Sequence, residues 1–151
     1  ACDGEVPLMS FCRADEIKNT VDSMIHAFKE NGDDDIVILT YKTEQQSILT
    51  QYIENGYYKY KKNNLFFSTC RKFKGLEADA VILVDIDDTL FNEVDSRRFY
   101  VGSSRARFDL GIISQLSQEA CKELLEHNSI RVSKNPYKSM ATALNSIFIE
   151  F

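Results

Sequence analysis

Residues 81–90 read VILVDIDDTL, an apolar run that is first interrupted at Asp85. A second run, IVILTY over residues 36–41, follows an acidic turn. Neither run alternates apolar with polar residues, so each is predicted to be a strand buried on both faces, as in parallel sheets. Helical patterns lie between these runs. Alternating strands and helices with short connections predict an α/β fold with a mainly parallel sheet flanked by helices.

The spacing of apolar residues and the end signals predict four helices. The second of them is predicted from a T-x-x-Q capping box, Thr43 to Gln46, and is expected to end at Asn55-Gly56. The four helices are expected to begin near Asp15, at Thr43, after Ser117 and at Asn135-Pro136.

Size and composition suit one compact domain over residues 1–151. The chain has 151 residues, of which 44% are hydrophobic, and this is enough to build one core but too little for two well-supplied ones. Its formal net charge of -5 gives no overall attraction to nucleic acid or to a membrane. A site for a polyanion must therefore be a local basic patch.

The four cysteines have no C-x-x-C spacing, which argues against a zinc site and against a disulfide framework. We predict no metal site and expect reduced core thiols. No apolar run is long enough to span a bilayer, and the first residues do not resemble a signal peptide. A cytoplasmic protein is expected, and the first residues look like a cut inside a longer chain.

The D-x-D-x-T pattern at Asp85 and Asp87 is also how haloacid dehalogenase-type phosphatases begin. That mechanism needs a second acidic pair after a later strand, and the isolated Asp95 and Asp109 do not form one. The simpler interpretation is a buried strand whose aspartates end it and begin a solvated turn. A phosphatase is therefore the least favoured alternative.

Three segments in order carry a more specific resemblance. Residues 68–84, STCRKFKGLEADAVILV, resemble the fifth motif of superfamily I helicases of the UvrD and Rep type. Residues 100–106, YVGSSRA, resemble their sixth motif, and residues 37–49, VILTYKTEQQSIL, resemble the fourth. The chain therefore resembles the second, C-terminal RecA-like motor domain of such a helicase, which implies a three-layer fold.

The resemblance implies a role for individual residues. Arg105 is implied to be the arginine finger, since a guanidinium can stabilise charge on a transferred phosphoryl group. Glu77 is implied to bind the ribose, Tyr41 to stack on adenine, and Lys42 and Lys74 to approach the phosphates. Lysine at position 42 lacks the planar fork of the family's arginine. The implied nucleotide-binding residues are Tyr41, Lys42, Lys74, Gly75, Glu77 and Arg105.

A local basic patch of the kind that a polyanion site needs in this acidic chain is formed by Thr69, Arg71 and Lys72. The resemblance implies that these residues contact single-stranded DNA or RNA. Many relatives have a histidine where Arg71 stands. The nearby stretch YYKYKKNN, residues 57–64, interleaves aromatic and basic residues as single-strand binding surfaces do.

No G-x-x-x-x-G-K-[ST] phosphate loop occurs in the chain. We therefore expect ATP with Mg²⁺ to be held mainly by an N-terminal motor domain of the same protein, and this chain alone to be inactive. The large domain that UvrD-type helicases insert between the fourth and fifth motifs is also missing. The predicted function is the motor of an ATP-dependent helicase, for example in DNA repair. The main alternative is a degenerate module that binds nucleic acid or protein without turnover.

Overall fold

One mixed sheet forms the centre of the chain in the computed structural model, which describes residues 6–87 and 106–151. Within those ranges eight strands are hydrogen-bonded in the order β3-β4-β5-β2-β6-β7-β1-β8. Their bounds are β1 Leu8–Phe11, β2 Ile36–Thr40, β3 Ile53–Glu54, β4 Tyr57–Tyr60, β5 Asn63–Thr69, β6 Ala78–Ile86, β7 Ala106–Ser114 and β8 Ile147–Phe148.

Parallel strand pairs make up most of this sheet. Every neighbouring pair from β5 to β8 is parallel, whereas the β3–β4 and β4–β5 pairs at one edge are antiparallel. The central strands β2 and β6 are buried almost throughout, as their unbroken apolar runs predicted. The α/β class is confirmed.

The helices pack on both faces of the sheet. Helix α1 (Ile17–Glu30) contributes its apolar stripe to one hydrophobic cluster, whereas α2 (Gln118–His127) and α3 (Pro136–Ala143) contribute to the other. The last two helices begin with the predicted caps. The Ser117 side chain accepts a hydrogen bond from the Ala120 N–H at 3.1 Å, and Asn135 accepts one from the Lys138 N–H at 3.2 Å.

The predicted helix after Thr43 is wrong. The Gln46 N–H does donate to Thr43 Oγ1 at 3.2 Å, but the chain continues in turns and a short 3₁₀ helix, Thr50–Tyr52. Backbone donors that a helix would use are bonded elsewhere, since the Ile48 N–H donates to Asp85 Oδ1 at 2.9 Å. Asn55 and Gly56, at φ 53° and 81°, form the tight turn of the β3–β4 hairpin instead of ending a helix.

Strand β7 approaches α1 at a glycine. A Cβ built on Gly111 would overlap Met24 Sδ and lie 3.1 Å from Phe28 Cε2. Met24 and Phe28 are fully buried. The missing side chain at this position therefore lets the helix lie directly on the strand.

Candidate functional site

The predicted residues after β2 lie where parallel strands end. The backbone N–H of Lys42 donates to Thr40 Oγ1 at 3.0 Å, and the ammonium of Lys42 lies 3.5 Å from Asp87 Oδ2. Both side chains of this ion pair are more than a third exposed, so the pair is weak and its lysine can change partner. Lys42 is thus available at the carboxyl end of β2.

Tyr41 packs against the hydrophobic cluster that also contains Cys70. Burial raises the pKa of its phenol above the usual range, and the nearby Cys70 adds to the effect. The ring is therefore part of the core at the end of β2, with only part of its surface open to a ligand.

Asp85 is the feature that the sequence interpretation missed at this edge. It is 6% exposed and lies inside β6 with φ 65°, where we expected a solvated turn. One carboxylate oxygen accepts hydrogen bonds from Thr40 Oγ1 at 2.5 Å and Ser47 Oγ at 2.7 Å, and the other accepts from the Ile48 N–H. The Asp85 side chain therefore ties the segment after Lys42 to the sheet.

This arrangement also bears on the phosphatase alternative. A nucleophilic aspartate must present a free oxygen to phosphorus, whereas both oxygens of Asp85 are buried and bonded within the protein. The only signal in the sequence was a single acidic residue inside an apolar run, which does not distinguish a strand end from a buried carboxylate.

The basic turn after β5 starts beside β2. The Cys70 N–H donates to the Thr40 carbonyl at 3.0 Å, and Thr69 Oγ1 accepts from the Lys72 N–H at 3.1 Å. The Lys72 ammonium lies 3.3 Å from Glu44, whereas Arg71 is exposed. The structure thus brings Thr69, Arg71 and Lys72 to the same edge as Lys42.

Gly75 makes the next turn possible, because its φ of 86° is one that glycine adopts at no cost. Lys74 and Glu77, on either side of it, are both exposed. Glu77 lies 3.6 Å from the guanidinium of Arg107, which also lies 3.2 Å from Asp79. Arg107 and Asp79 are charged neighbours of Glu77 that sequence reasoning did not single out.

The register of the sheet separates the predicted nucleotide residues. Thr40 pairs with Val84, whereas Glu77 directly precedes Ala78 at the opposite end of β6. At about 3.3 Å per residue, the seven residues from Glu77 to Val84 put Thr40 roughly 23 Å from Glu77 along the strand direction, and Tyr41 and Lys42 lie beyond Thr40. The described chain does not bring these two groups together.

Arg105 lies outside the described residues. The residue that follows it, Ala106, begins β7 and pairs with Ala78, which follows Glu77. The segments of the fifth and sixth motifs therefore lead into neighbouring parallel strands at the same edge of the sheet.

An acidic group occupies this amino edge as well. Asp33 and Asp109 are buried beside each other. Burial raises the pKa of Asp33 to about 7, and the hydrogen bond to Asp109 and the charges of Asp109, Asp79 and Asp34 act in the same direction. In residues 6–87 and 106–151, no group of three or more His, Cys, Asp or Glu side chains is placed to hold a metal ion.

The tyrosine- and lysine-rich stretch is a hairpin strand. Tyr58 and Tyr60 point into the core, and only Tyr57 is exposed among the three tyrosines. Its composition alone therefore overstated the aromatic surface.

No helix within the described ranges is long and apolar enough to cross a membrane.

The fold and site define an α/β domain with charged groups at both ends of a largely parallel sheet. The family model for the UvrD-like helicase C-terminal domain matches residues 64–113, about a third of the chain. The resemblance to UvrD-like helicases is confirmed over β5, β6 and most of β7.

A solved structure is similar to about three quarters of the chain. It is the crystal structure of the C-terminal domain of a possible DNA helicase from Lactobacillus plantarum WCFS1, with a TM-score of 0.53 and 17% sequence identity. The similarity covers 74% of this chain and 75% of that one. At this identity it supports the fold. No curated protein sequence matches the chain.

Proposed function

We propose that this chain is the C-terminal motor domain of an ATP-dependent superfamily I helicase, with a three-layer RecA-like fold. The observation that carries the proposal is the match to the UvrD-like helicase C-terminal domain over residues 64–113. This segment contains the Gly75 turn, Glu77 and Arg105. It therefore includes both the residue proposed to bind ribose and the proposed arginine finger.

The sheet supports a common location for these two residues. Glu77 and Arg105 each directly precede a strand, and the first residues of those strands, Ala78 and Ala106, are paired in parallel. In this proposal the amino edge of β6 and β7 faces ATP. Glu77 binds the ribose, and Arg105 stabilises the charge that moves onto the departing phosphate oxygens.

ATP and Mg²⁺ need further residues. The chain has no phosphate loop, so an N-terminal motor domain of the same protein is proposed to hold the β- and γ-phosphates and the magnesium ion. This chain then supplies the second wall of the ATP site, that is, the side opposite the phosphate loop of the N-terminal domain. Lys74, in the connection between β5 and β6, is proposed to approach the phosphates, whereas contacts of Tyr41 and Lys42 with the same nucleotide remain a prediction.

The opposite edge suits a nucleic-acid strand. Thr69 and Arg71 leave β5 beside the exposed Lys42, and the ligand site of open α/β sheets is usually at the carboxyl ends of the strands. Cations and a hydroxyl group there can contact phosphates of single-stranded DNA or RNA. ATP at one edge and the strand at the other are then connected by the rigid central strands.

Complementation in trans tests the proposal. The chain is mixed with a separately purified motor domain that carries the phosphate loop, and phosphate release is measured against concentration, with and without single-stranded DNA. We expect phosphate release to rise with the concentration of this chain. Separating the two domains lowers their effective concentration for each other, and a higher total concentration offsets this loss. Nucleic-acid binding without any hydrolysis at high concentration would favour the non-catalytic module.

A further inference from the structure

One short segment concentrates the positive charge of this acidic chain. Residues 57–76 contain six Lys or Arg residues and no Asp or Glu, while the whole chain has 18 basic and 23 acidic residues. The segment comprises β4, β5 and the basic turn after them. It therefore forms a local positive region on a protein of negative net charge.

The hairpin of β4 and β5 turns one side to the core and the other outward. Tyr58, Tyr60, Leu65 and Phe67 are buried in the same hydrophobic cluster. Residues that alternate with them point to the opposite face. On that face Tyr57 is 44% and Phe66 is 41% exposed, although both are large aromatic side chains.

These two rings are held in place. Tyr57 and Phe66 are directly opposite each other in the antiparallel pair, with ring centroids 6.0 Å apart at an interplanar angle of 69°. Phe66 also packs on Phe73, at 6.1 Å between centroids, and Phe73 is only 4% exposed. The buried ring of Phe73 thus supports the exposed pair of Tyr57 and Phe66, so the pair is held in place without a ligand.

Exposed cations lie on the same strand as one ring and in the turn that packs on the other. Lys59 is the next outward residue of β4, opposite Asn64, and Arg71 lies in the turn that contains Phe73. Both side chains are exposed, and within the described chain neither lies within ion-pair distance of a carboxylate.

We propose that this surface, the aromatic-basic face formed by Tyr57, Lys59, Phe66 and Arg71, binds single-stranded nucleic acid. Bases stack on Tyr57 and Phe66, and the phosphates on either side lie near the cations. A duplex does not fit this description, because its base faces are already stacked. The face extends the strand track of the proposed function and rests on that function for its role in a motor, but it needs no nucleotide to bind.

The test is fluorescence anisotropy of a labelled 20-nucleotide oligo-dT, with oligo-rU and a duplex of equal length in parallel, against the 151-residue chain. Tyr57→Leu and Phe66→Leu keep an apolar side chain in the strand and remove the flat ring. We expect each to weaken binding about five- to a hundredfold, because stacking on one ring contributes about 1–3 kcal/mol per base.

Matched controls separate stacking from charge. Phe151→Leu removes another exposed ring, and Lys122→Gln removes an exposed cation on α2; both should bind like the parent. Lys59→Gln and Arg71→Gln should each reduce the slope of log affinity against log salt by about one, whereas the ring variants should leave the slope unchanged.

Several results would overturn the inference: Tyr57→Leu and Phe66→Leu binding oligonucleotide as tightly as Phe151→Leu, a duplex binding as tightly as oligo-dT, or no strand binding at all. The same loss for oligo-rU and oligo-dT supports the face, since stacking does not distinguish the sugars. If the ring variants bind normally and hydrolysis in trans survives, the inference fails while the proposed function stands. If the ring variants lose binding and no hydrolysis occurs in trans, the inference stands while the proposed ATP-dependent function fails.

Discussion

Removing the Asp85 carboxylate should destabilise the chain far more than removing that of Asp87, although the two residues are neighbours in one D-x-D pattern. Asp85→Ala leaves the hydroxyls of Thr40 and Ser47 and the N–H of Ile48 without their acceptor in a buried site. Each buried donor left without an acceptor costs about 1–3 kcal/mol, so the loss of the three hydrogen bonds should cost roughly 3–5 kcal/mol in total. Alanine at φ 65° adds roughly 1–2 kcal/mol.

The conservative variants set the scale. Asp85→Asn keeps the shape, tolerates the left-handed backbone and retains one acceptor oxygen, so we expect a loss of about 1.5–3 kcal/mol. Asp87→Asn removes the charge of a partly exposed ion pair with Lys42, and such a pair is worth less than about 1 kcal/mol. The expected order of stability is therefore parent, Asp87→Asn, Asp85→Asn and Asp85→Ala.

Urea unfolding followed by circular dichroism measures these differences, provided that the slope against urea stays constant. The variants also report on the loop after Lys42, which should become sensitive to limited proteolysis in Asp85→Ala but not in Asp87→Asn. If the free energy of unfolding of Asp85→Ala lies within about 1 kcal/mol of the parent's, the hydrogen bonds of Asp85 do not hold the loop.

Three further predictions concern other parts of the chain. The raised pKa of Asp33, about 7, means that the folded state holds a proton which the unfolded state releases near pH 4, so stability should fall as pH rises from about 4 to 7. Asp33→Asn should remove this pH dependence in urea unfolding at several pH values, and an unchanged pH profile would contradict it. Gly111→Ala should cost about 1–3 kcal/mol because its methyl group meets Met24 and Phe28, and an unaltered urea midpoint would refute the close packing. The chain alone should unfold cooperatively and release no phosphate from ATP, and turnover that persists through repurification and is unaffected by Arg105→Ala would place the active site elsewhere.

The sequence predicted the parts of the fold in which one periodic pattern decides the structure. The apolar stripe of α1, the caps Ser117 and Asn135, and the unbroken runs of β2 and β6 each have a local cause. The segment after Thr43 does not, because a carboxylate 38 residues away in sequence takes the hydroxyl of Ser47 and so competes with the helix. Local propensity contains no information about that bond.

The site was predictable in a similar, partial way. Motif order identified the segments at both ends of the sheet, and the turn at Gly75 follows from its residue type. The separation of Lys42 from Glu77 depends on strand register, which single-sequence reasoning did not supply. The outward pair Tyr57 and Phe66 depends on which face of a hairpin meets the core, and that too is set by tertiary packing.

The most direct test of the central claim is the rate of single-strand-stimulated ATP hydrolysis by the protein that contains both motor domains, with Arg105→Ala compared with Arg131→Ala. Arg131 is an exposed arginine after α2, so its variant controls for the loss of one positive charge. If Arg105 is the arginine finger, Arg105→Ala should lower turnover by about three to five powers of ten with the fold intact, while Arg131→Ala stays near the parent. Near-normal turnover by a folded Arg105→Ala variant would contradict the assignment of this chain as the second wall of the ATP site.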